Sequence, residues 1–132
     1  MNAFSRQTQE AIAALHNCHI ACLSMATVHC LETGGEHARP QHLRLMMDCA
    51  EFCAFTADAL MRKSQFHLPF ALLCADVCQT CADDCAQLSG MEVCVAACRR
   101  CVTACQALAG PDADIRMDAS RVAPSVHGGL HS

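Results

Sequence analysis

The placement of the cysteines constrains this chain more than any other feature. Between Cys74 and Cys105 eight cysteines recur at spacings of 4, 3 and 4, then 9, then 4, 3 and 4 again. An α-helix turns about 100° per residue, so steps of 4, 3 and 4 hold four side chains within about 60° of arc. Cys74, Cys78, Cys81 and Cys85 therefore form one helical stripe, and Cys94, Cys98, Cys101 and Cys105 form a second. The nine-residue step between them contains Ser89-Gly90, a reversal signal. Shorter versions of the stripe occur earlier, as Cys18, Cys22 and Cys30, and as Cys49 and Cys53.

Helix is the only period along the chain, and no strand-like alternation competes with it. A first helical segment runs from Ser5 to Thr33 and stops at Gly34-Gly35. Pro40 opens a second, which continues to Ser64 with Arg62 and Lys63 in its last turn. Pro69 opens a third that reaches Leu88. Ser89-Gly90-Met91-Glu92 matches a capping box, with Ser89 as N-cap, and the fourth segment ends at Gly110-Pro111. Four helices joined by short connections predict an all-α fold, an antiparallel up-down-up-down four-helix bundle with a cysteine-lined core. Residues 1–110 make one metal-binding domain, and the polar segment 111–132 reads as a loose tail.

Matching heights outward from the three connections gives four layers. The first holds Cys18, Cys74 and Cys105 with Thr56; the second holds Cys22, Cys53, Cys78 and Cys101. The third holds Cys49, Cys81 and Cys98 opposite Met25 or Ala26, and the last holds Cys30, Cys85 and Cys94 with Met46. Every cysteine is used. Beyond the first layer, Leu15, Leu60, Phe70 and Leu108 make an apolar plug. Beyond the last lie Thr33, His42, Leu88 and Met91, with His29 and His37 nearby. One end is thus sealed, and the other offers imidazole and thioether groups suited to a soft metal ion.

Composition narrows the chemistry. The chain has 132 residues, no Trp or Tyr and only 5 Phe, so its 53% hydrophobic content rests on 13 Cys, 7 Met and many Ala. An odd cysteine count excludes full internal pairing. The opening MNAFSRQTQEAIAALHN lacks a basic region followed by an apolar one, so no signal peptide is expected, nor any membrane-length apolar run. The placement expected is the cytoplasm, where thiols stay reduced. Net charge is −4 with few, scattered basic residues, which argues against nucleic-acid binding.

Four readings of so many inward thiols compete. Packing alone is a poor use of a small residue in a core short of aromatics. Disulfides would have to bridge helices, because neighbours four apart on one helix stand about 6 Å apart at Cβ. Redox chemistry has two Cys-x-x-Cys motifs, Cys78–Cys81 and Cys98–Cys101, but both lie mid-helix. Metal binding remains. Zinc and iron–sulfur clusters ask for four ligands each, and four thiolates on zinc leave a −2 charge. Cu(I) is monovalent, soft and satisfied by two or three thiolates, so a column with ~1 Cu(I) per cysteine stays near neutral. Zinc, as a structural module, and a dithiol or iron–sulfur electron carrier remain as alternatives.

CHIAC (Cys18 to Cys22), CAEFC (Cys49 to Cys53), CADVCQTCADDC and CVAACRRCVTAC together resemble the bacterial copper storage proteins, across residues 5–110. The resemblance implies a four-helix bundle that holds many Cu(I) ions, of the cytosolic type, with no enzymatic activity, assembled as a homotetramer. No nucleophile–base pair is visible to suggest otherwise. Beside the thirteen cysteines, Met25 and Met46 occupy column positions and can bind through thioether sulfur or simply pack. His42 and Met91 are candidate ligands at the open end. His29 can face inward or away, and His16, His19, His37 and His67 are expected at the surface. His127 and His131 fall in the tail. Asp83, Asp84, Arg99 and Arg100 are expected on faces opposite the cysteines, as solvated or interfacial charge.

Overall fold

A computed structural model describes residues 4–110. Its four helices are α1 (Arg6–Thr33), α2 (Pro40–Met61), α3 (His67–Cys85) and α4 (Glu92–Ala107). Each helix packs on the one before it, and α4 closes on α1, which makes the antiparallel bundle. Ser5 starts α1 as its N-cap, its Oγ accepting the Thr8 backbone N–H at 3.1 Å. Gly34 ends α1 with φ +75°.

Four helix boundaries differ from expectation. α2 stops at Met61, short of Ser64, because Lys63 takes a left-handed conformation with φ +54°. There the Ser64 N–H donates to the Ala59 carbonyl (2.9 Å) and the Lys63 N–H to the Leu60 carbonyl (3.1 Å). This is a Schellman ending with lysine where glycine is usual. α3 begins at His67, with Pro69 inside its first turn, and ends at Cys85 rather than Leu88. The capping box at Ser89 does not form. Gly90, at φ +75°, turns the chain away, Met91 takes the cap position, and no side chain caps α4. The Ser89 carbonyl instead accepts the His37 Nε2–H at 2.8 Å.

α1 is not uniform. Over Met25–Cys30 its backbone is a π-helix. Cys30 follows Cys22 by eight residues, which on an unbroken α-helix would turn it about 80° off the stripe. The wider i→i+5 turn rotates less per residue and returns Cys30 to the core, where it is fully buried. Nearby, the Ser24 hydroxyl donates to the Ile20 carbonyl (2.8 Å) and the Thr27 hydroxyl to the Leu23 carbonyl (2.7 Å). Such bonds compete with the helical ladder. On the inner side of this turn sits Ala26; Met25 is half-buried against the outside of the core.

Among the described residues, the buried apolar core holds 28: 13 cysteines, 11 alanines, Leu15, Leu60, Met46 and Met91. Alanine lets the helix backbones approach, so the sulfurs of all four helices meet on the axis. Leu15 and Leu60 close the end that the sequence marks as sealed, with Leu108 half-buried against them. Contrary to expectation, α1 is long and apolar enough, by length and composition, to cross a membrane. Its apolar character lies partly in the face that supplies Ala11, Ala14, Leu15, Cys18 and Cys22 to the core.

Candidate metal centre

All thirteen cysteines are fully buried and carry free thiols. The sulfurs of Cys18, Cys22, Cys49, Cys53, Cys74, Cys78, Cys98 and Cys101 form one continuous network of contacts at 4.0 Å or less, and Cys81 and Cys85 form a further pair. Cys53 Sγ lies 3.7 Å from Cys74, 3.5 Å from Cys78 and 3.9 Å from Cys101. Cys49 Sγ lies 3.7 Å from Cys78, 3.9 Å from Cys98 and 3.9 Å from Cys18. Cys22 Sγ lies 3.6 Å from Cys98, and Cys81 Sγ 4.0 Å from Cys85. These separations are far above the ~2.05 Å of a disulfide bond. They are the spacing of sulfurs that share a metal ion with M–S distances near 2.3 Å.

Three sets of four sulfurs gather within 4.8 Å: Cys18, Cys22, Cys49 and Cys98; Cys18, Cys49, Cys53 and Cys78; and Cys53, Cys74, Cys78 and Cys101. The middle set shares two members with each of the others, so these eight sulfurs make one unbroken stretch. The expected α3–α4 register holds: Cys74 lies beside Cys105, Cys78 beside Cys101, and Cys81 beside Cys98. The register of α1 does not. Cys18, expected level with Cys74 and Cys105, contacts Cys98 at 3.7 Å, and Cys22 meets Cys49 and Cys98 rather than Cys53. α1 thus sits about one turn nearer the open end than the expected register.

Burial and sulfur hydrogen bonds set the thiol ionisation. Burial, then the prospective charges of Cys94 and Cys81, push the Cys30 thiol up. Sulfur contacts from Cys101 and Cys74, then burial, push Cys105 up, and the Cys81 contact followed by burial does the same to Cys85. Cys18 and Cys74 shift down, each helped first by Cys101, and Cys81 shifts down helped first by Cys22. A soft cation that binds these thiols displaces their protons.

At the open end the donors change. Cys30 Sγ stands 3.5 Å from His42 Nε2, 3.9 Å from Met46 Sδ and 3.7 Å from Met91 Sδ. His42, Met46 and Met91 are all buried, so the open end is not a solvated helix end. Asp84 is not opposite the cysteines as expected. It turns inward, and its Oδ2 accepts the His42 Nδ1–H at 2.6 Å while Oδ1 accepts from Arg39 at 3.4 Å. Sequence reading missed this pair, and the signal was slight: Asp84 directly precedes Cys85 at the end of its stripe. Asp84, His42 and Cys30 also line up as an orienter, base and thiol, a pairing the sequence did not reveal. Cys30 is fully buried with two thioethers against it, which leaves no approach for an acyl substrate.

The other histidines are placed as follows. His19 Nδ1–H donates to the Ala50 carbonyl (2.8 Å), and His67 Nδ1–H donates to the Ser64 carbonyl (2.8 Å). His16 is exposed. His29 and His37 meet edge to face with centroids 5.5 Å apart. His29 Nε2 is buried without a partner near Gly90, where a β-carbon would stand 3.5 Å from it. His127 and His131 lie outside the described residues.

Comparison with known proteins agrees with this geometry. Residues 4–110 match the profile of the family described as Copper storage protein. A cysteine-rich protein of Bacillus subtilis, YhjQ, is 32% identical over 80 residues, which cover 61% of this chain and 73% of YhjQ. The crystal structure of Nmul_A1745 from Nitrosospira multiformis is 44% identical, with a TM-score of 0.75 over 76% of this chain and 92% of that one. The Cu(I)-bound copper storage protein BsCsp3 is 30% identical, with a TM-score of 0.73 over 80% of this chain and 100% of that one. A cysteine-lined bundle and a family match over nearly all of the described residues lead to one conclusion: this chain belongs to the copper storage protein family.

Proposed function

We propose that this protein stores and buffers Cu(I) in the cytoplasm, binding many ions along its sulfur column. The observation that carries the reading is that all thirteen cysteines are fully buried in one core cluster. As ligands we assign Cys18, Cys22, Cys30, Cys49, Cys53, Cys74, Cys78, Cys81, Cys85, Cys94, Cys98, Cys101 and Cys105, with His42, Met46 and Met91 at the mouth. Met25, half-buried on the outer side of the π-turn, is assigned to packing. Each Cu(I) replaces one thiol proton, so loading leaves the core near neutral. The free thiols suit a reducing compartment.

A zinc reading has one observation in its favour. Cys18, Cys22, Cys49 and Cys98, and separately Cys53, Cys74, Cys78 and Cys101, are two four-thiol sets without a shared member. Two zinc ions would use those eight thiols, leave Cys30, Cys81, Cys85, Cys94 and Cys105 idle, and bury a −2 charge at each site. Copper uses all thirteen. Anaerobic Cu(I) titration against a strong chelator separates the two. About one tightly bound Cu(I) per cysteine is expected, and saturation at one or two equivalents refutes storage.

Assembly into a homotetramer forms part of the same proposal. An aromatic cluster on the outer faces of α2 and α3 supports it: Phe55 stands 4.9 Å from Phe70 and 5.6 Å from Phe52, and Phe66 is 54% exposed. Light scattering at micromolar concentration tests the state.

A further inference from the structure

Thr56 carries a buried hydroxyl without a partner. On the inner face of α2, His42, Met46, Cys49, Cys53, Thr56 and Leu60 follow one another at steps of 4, 3, 4, 3 and 4, and all are buried. Among the described residues, Thr56 Oγ1 is the one buried side-chain oxygen with no hydrogen bond. Other helical threonines behave differently. The hydroxyls of Thr27, Thr80 and Thr103 each donate to the carbonyl four residues back, at 2.7, 3.0 and 3.2 Å. That local bond is open to a helical threonine in the right rotamer. Thr56 does not make it, and valine would fill the same space without burying an unsatisfied hydroxyl.

Thr56 stands at the sealed end of the column. It lies one turn beyond Cys53 on α2, as Cys105 lies one turn beyond Cys101 on α4, and the sulfurs of Cys53 and Cys101 are 3.9 Å apart. Cys53 Sγ is also 3.7 Å from Cys74, the α3 cysteine nearest this end, and Cys74 lies beside Cys105. α1 brings no sulfur here. Cys18 meets Cys98 instead, and toward the sealed end α1 buries Ala14 and Leu15. The closing layer therefore offers two thiols, from Cys74 and Cys105, and one hydroxyl.

Metal binding changes what that hydroxyl can do. In the metal-free protein the sulfurs are thiols, with hydrogens of their own to place. When Cu(I) binds a thiol, the proton leaves for solvent, and the sulfur that remains is an acceptor carrying negative charge. A hydroxyl donor beside it offsets that charge in an apolar end. As a ligand the same hydroxyl would be poor, because a neutral oxygen is a hard donor and Cu(I) is soft.

We propose that Thr56 is a positioning residue of the loaded protein: its hydroxyl donates to the thiolates of the Cys74–Cys105 layer and steadies the Cu(I) ion held at the sealed end. This role rests on the storage reading and deepens it, by naming a group that is unsatisfied in the empty bundle and satisfied in the full one. Thr56 thereby favours filling without binding metal itself.

T56V keeps the shape and removes the hydroxyl, and T56S keeps the hydroxyl. Two anaerobic measurements test the role: thermal melting of the metal-free proteins, and stepwise removal of Cu(I) from the loaded proteins by a coloured chelator. Metal-free T56V should melt higher than the unmodified protein by about 4 °C or more, because an orphaned hydroxyl has gone. Loaded T56V should hold as many ions as the unmodified protein but bind one of them about tenfold more weakly, the effect of losing a hydrogen bond to a charged group. T56S should release copper as the unmodified protein does. A merely structural role would move the empty and loaded proteins in the same direction. Should T56V fail to fold, copper release from T56A against T56S isolates the hydroxyl, with the same tenfold difference expected. Metal-free T56V that melts no higher than the unmodified protein overturns the role, as does a hydroxyl-free variant that holds every ion as tightly as its hydroxyl-bearing counterpart. Failure of the storage reading has a different signature, in which the unmodified protein saturates at one or two ions.

Discussion

Replacing Leu15 by alanine tests whether the metal column and the fold support one another. Leu15 and Leu60 are the only leucines among the 28 buried apolar residues; cysteine and alanine fill most of the rest. Leu15 is fully buried at the sealed end and contributes no metal ligand. Truncating a buried leucine costs about 2–5 kcal/mol, and a value of about 3 kcal/mol is a large share of the roughly 5–15 kcal/mol that holds a domain folded. In a domain of about 100 residues that loss lowers Tm by roughly 10–20 °C. Copper acts in the opposite direction. A ligand bound only by the folded state at 100 times its Kd adds about 2.7 kcal/mol per site, so two such sites outweigh the lost leucine. Anaerobic thermal melts followed by helical circular dichroism, with and without ten equivalents of Cu(I), measure both effects. Apo Leu15→Ala should melt well below the unmodified apo protein, and the copper-loaded variant should melt above it, with capacity unchanged. Copper-loaded Leu15→Ala melting no higher than its apo form would refute the coupling between column and fold.

Other consequences can be checked by similar means. Val28 is exposed within the π-turn, and deleting it should leave a regular α-helix in which Cys30 follows Cys22 by seven residues and still faces the core. Cu(I) capacity should survive that deletion, whereas deleting Arg100 between Cys98 and Cys101 should rotate Cys101 and Cys105 out of the column and reduce it. Lys63→Gly should raise the apo stability by about 0.5–1 kcal/mol in urea unfolding, because lysine at φ +54° is strained where glycine is not. Ser5→Ala should cost about 1 kcal/mol and Ser89→Ala next to nothing, since only Ser5 caps a helix with its side chain. Cys30, Cys85 and Cys105 are pushed up by burial and sulfur contacts, so they hold protons in the fold that the unfolded chain gives up above about pH 8.5. Their contribution to apo stability is present below that pH and lost as pH rises above it, opposite in sign to that of Cys18, Cys74 and Cys81, so the change in Tm from pH 7 to pH 10 should be less negative in Cys30→Ser than in the unmodified protein.

The fold was legible because cysteine spacing is a helical signal that tolerates no other period, and glycines marked the reversals. The all-cysteine column followed from the same arithmetic, as did the α3–α4 register, where a short turn leaves little freedom. The one-turn displacement of α1 was not legible. It accompanies a change of hydrogen-bond ladder over Met25–Cys30, whose one trace in the sequence is that Cys22 and Cys30 are separated by eight rather than seven. The capping box at Ser89 failed because the motif describes residue types, while Gly90 turns the chain before Ser89 can reach the first amides of α4. The stripe spacing puts Asp84 on a face opposite the cysteines, as solvated or interfacial charge. Its partner, His42, comes from another helix, and a stripe argument carries no information about contacts across the bundle.

The proton-for-metal exchange in the column has a consequence for whatever meets this protein. Each arriving Cu(I) expels one proton from an interior already closed to water, so the formal charge of −4 is the same for an empty and a full bundle. Nor do the surrounding helices have to carry the news, since the sulfurs already stand at shared-ligand distances before any ion arrives. A partner scanning the outer surface meets the same face at every filling level.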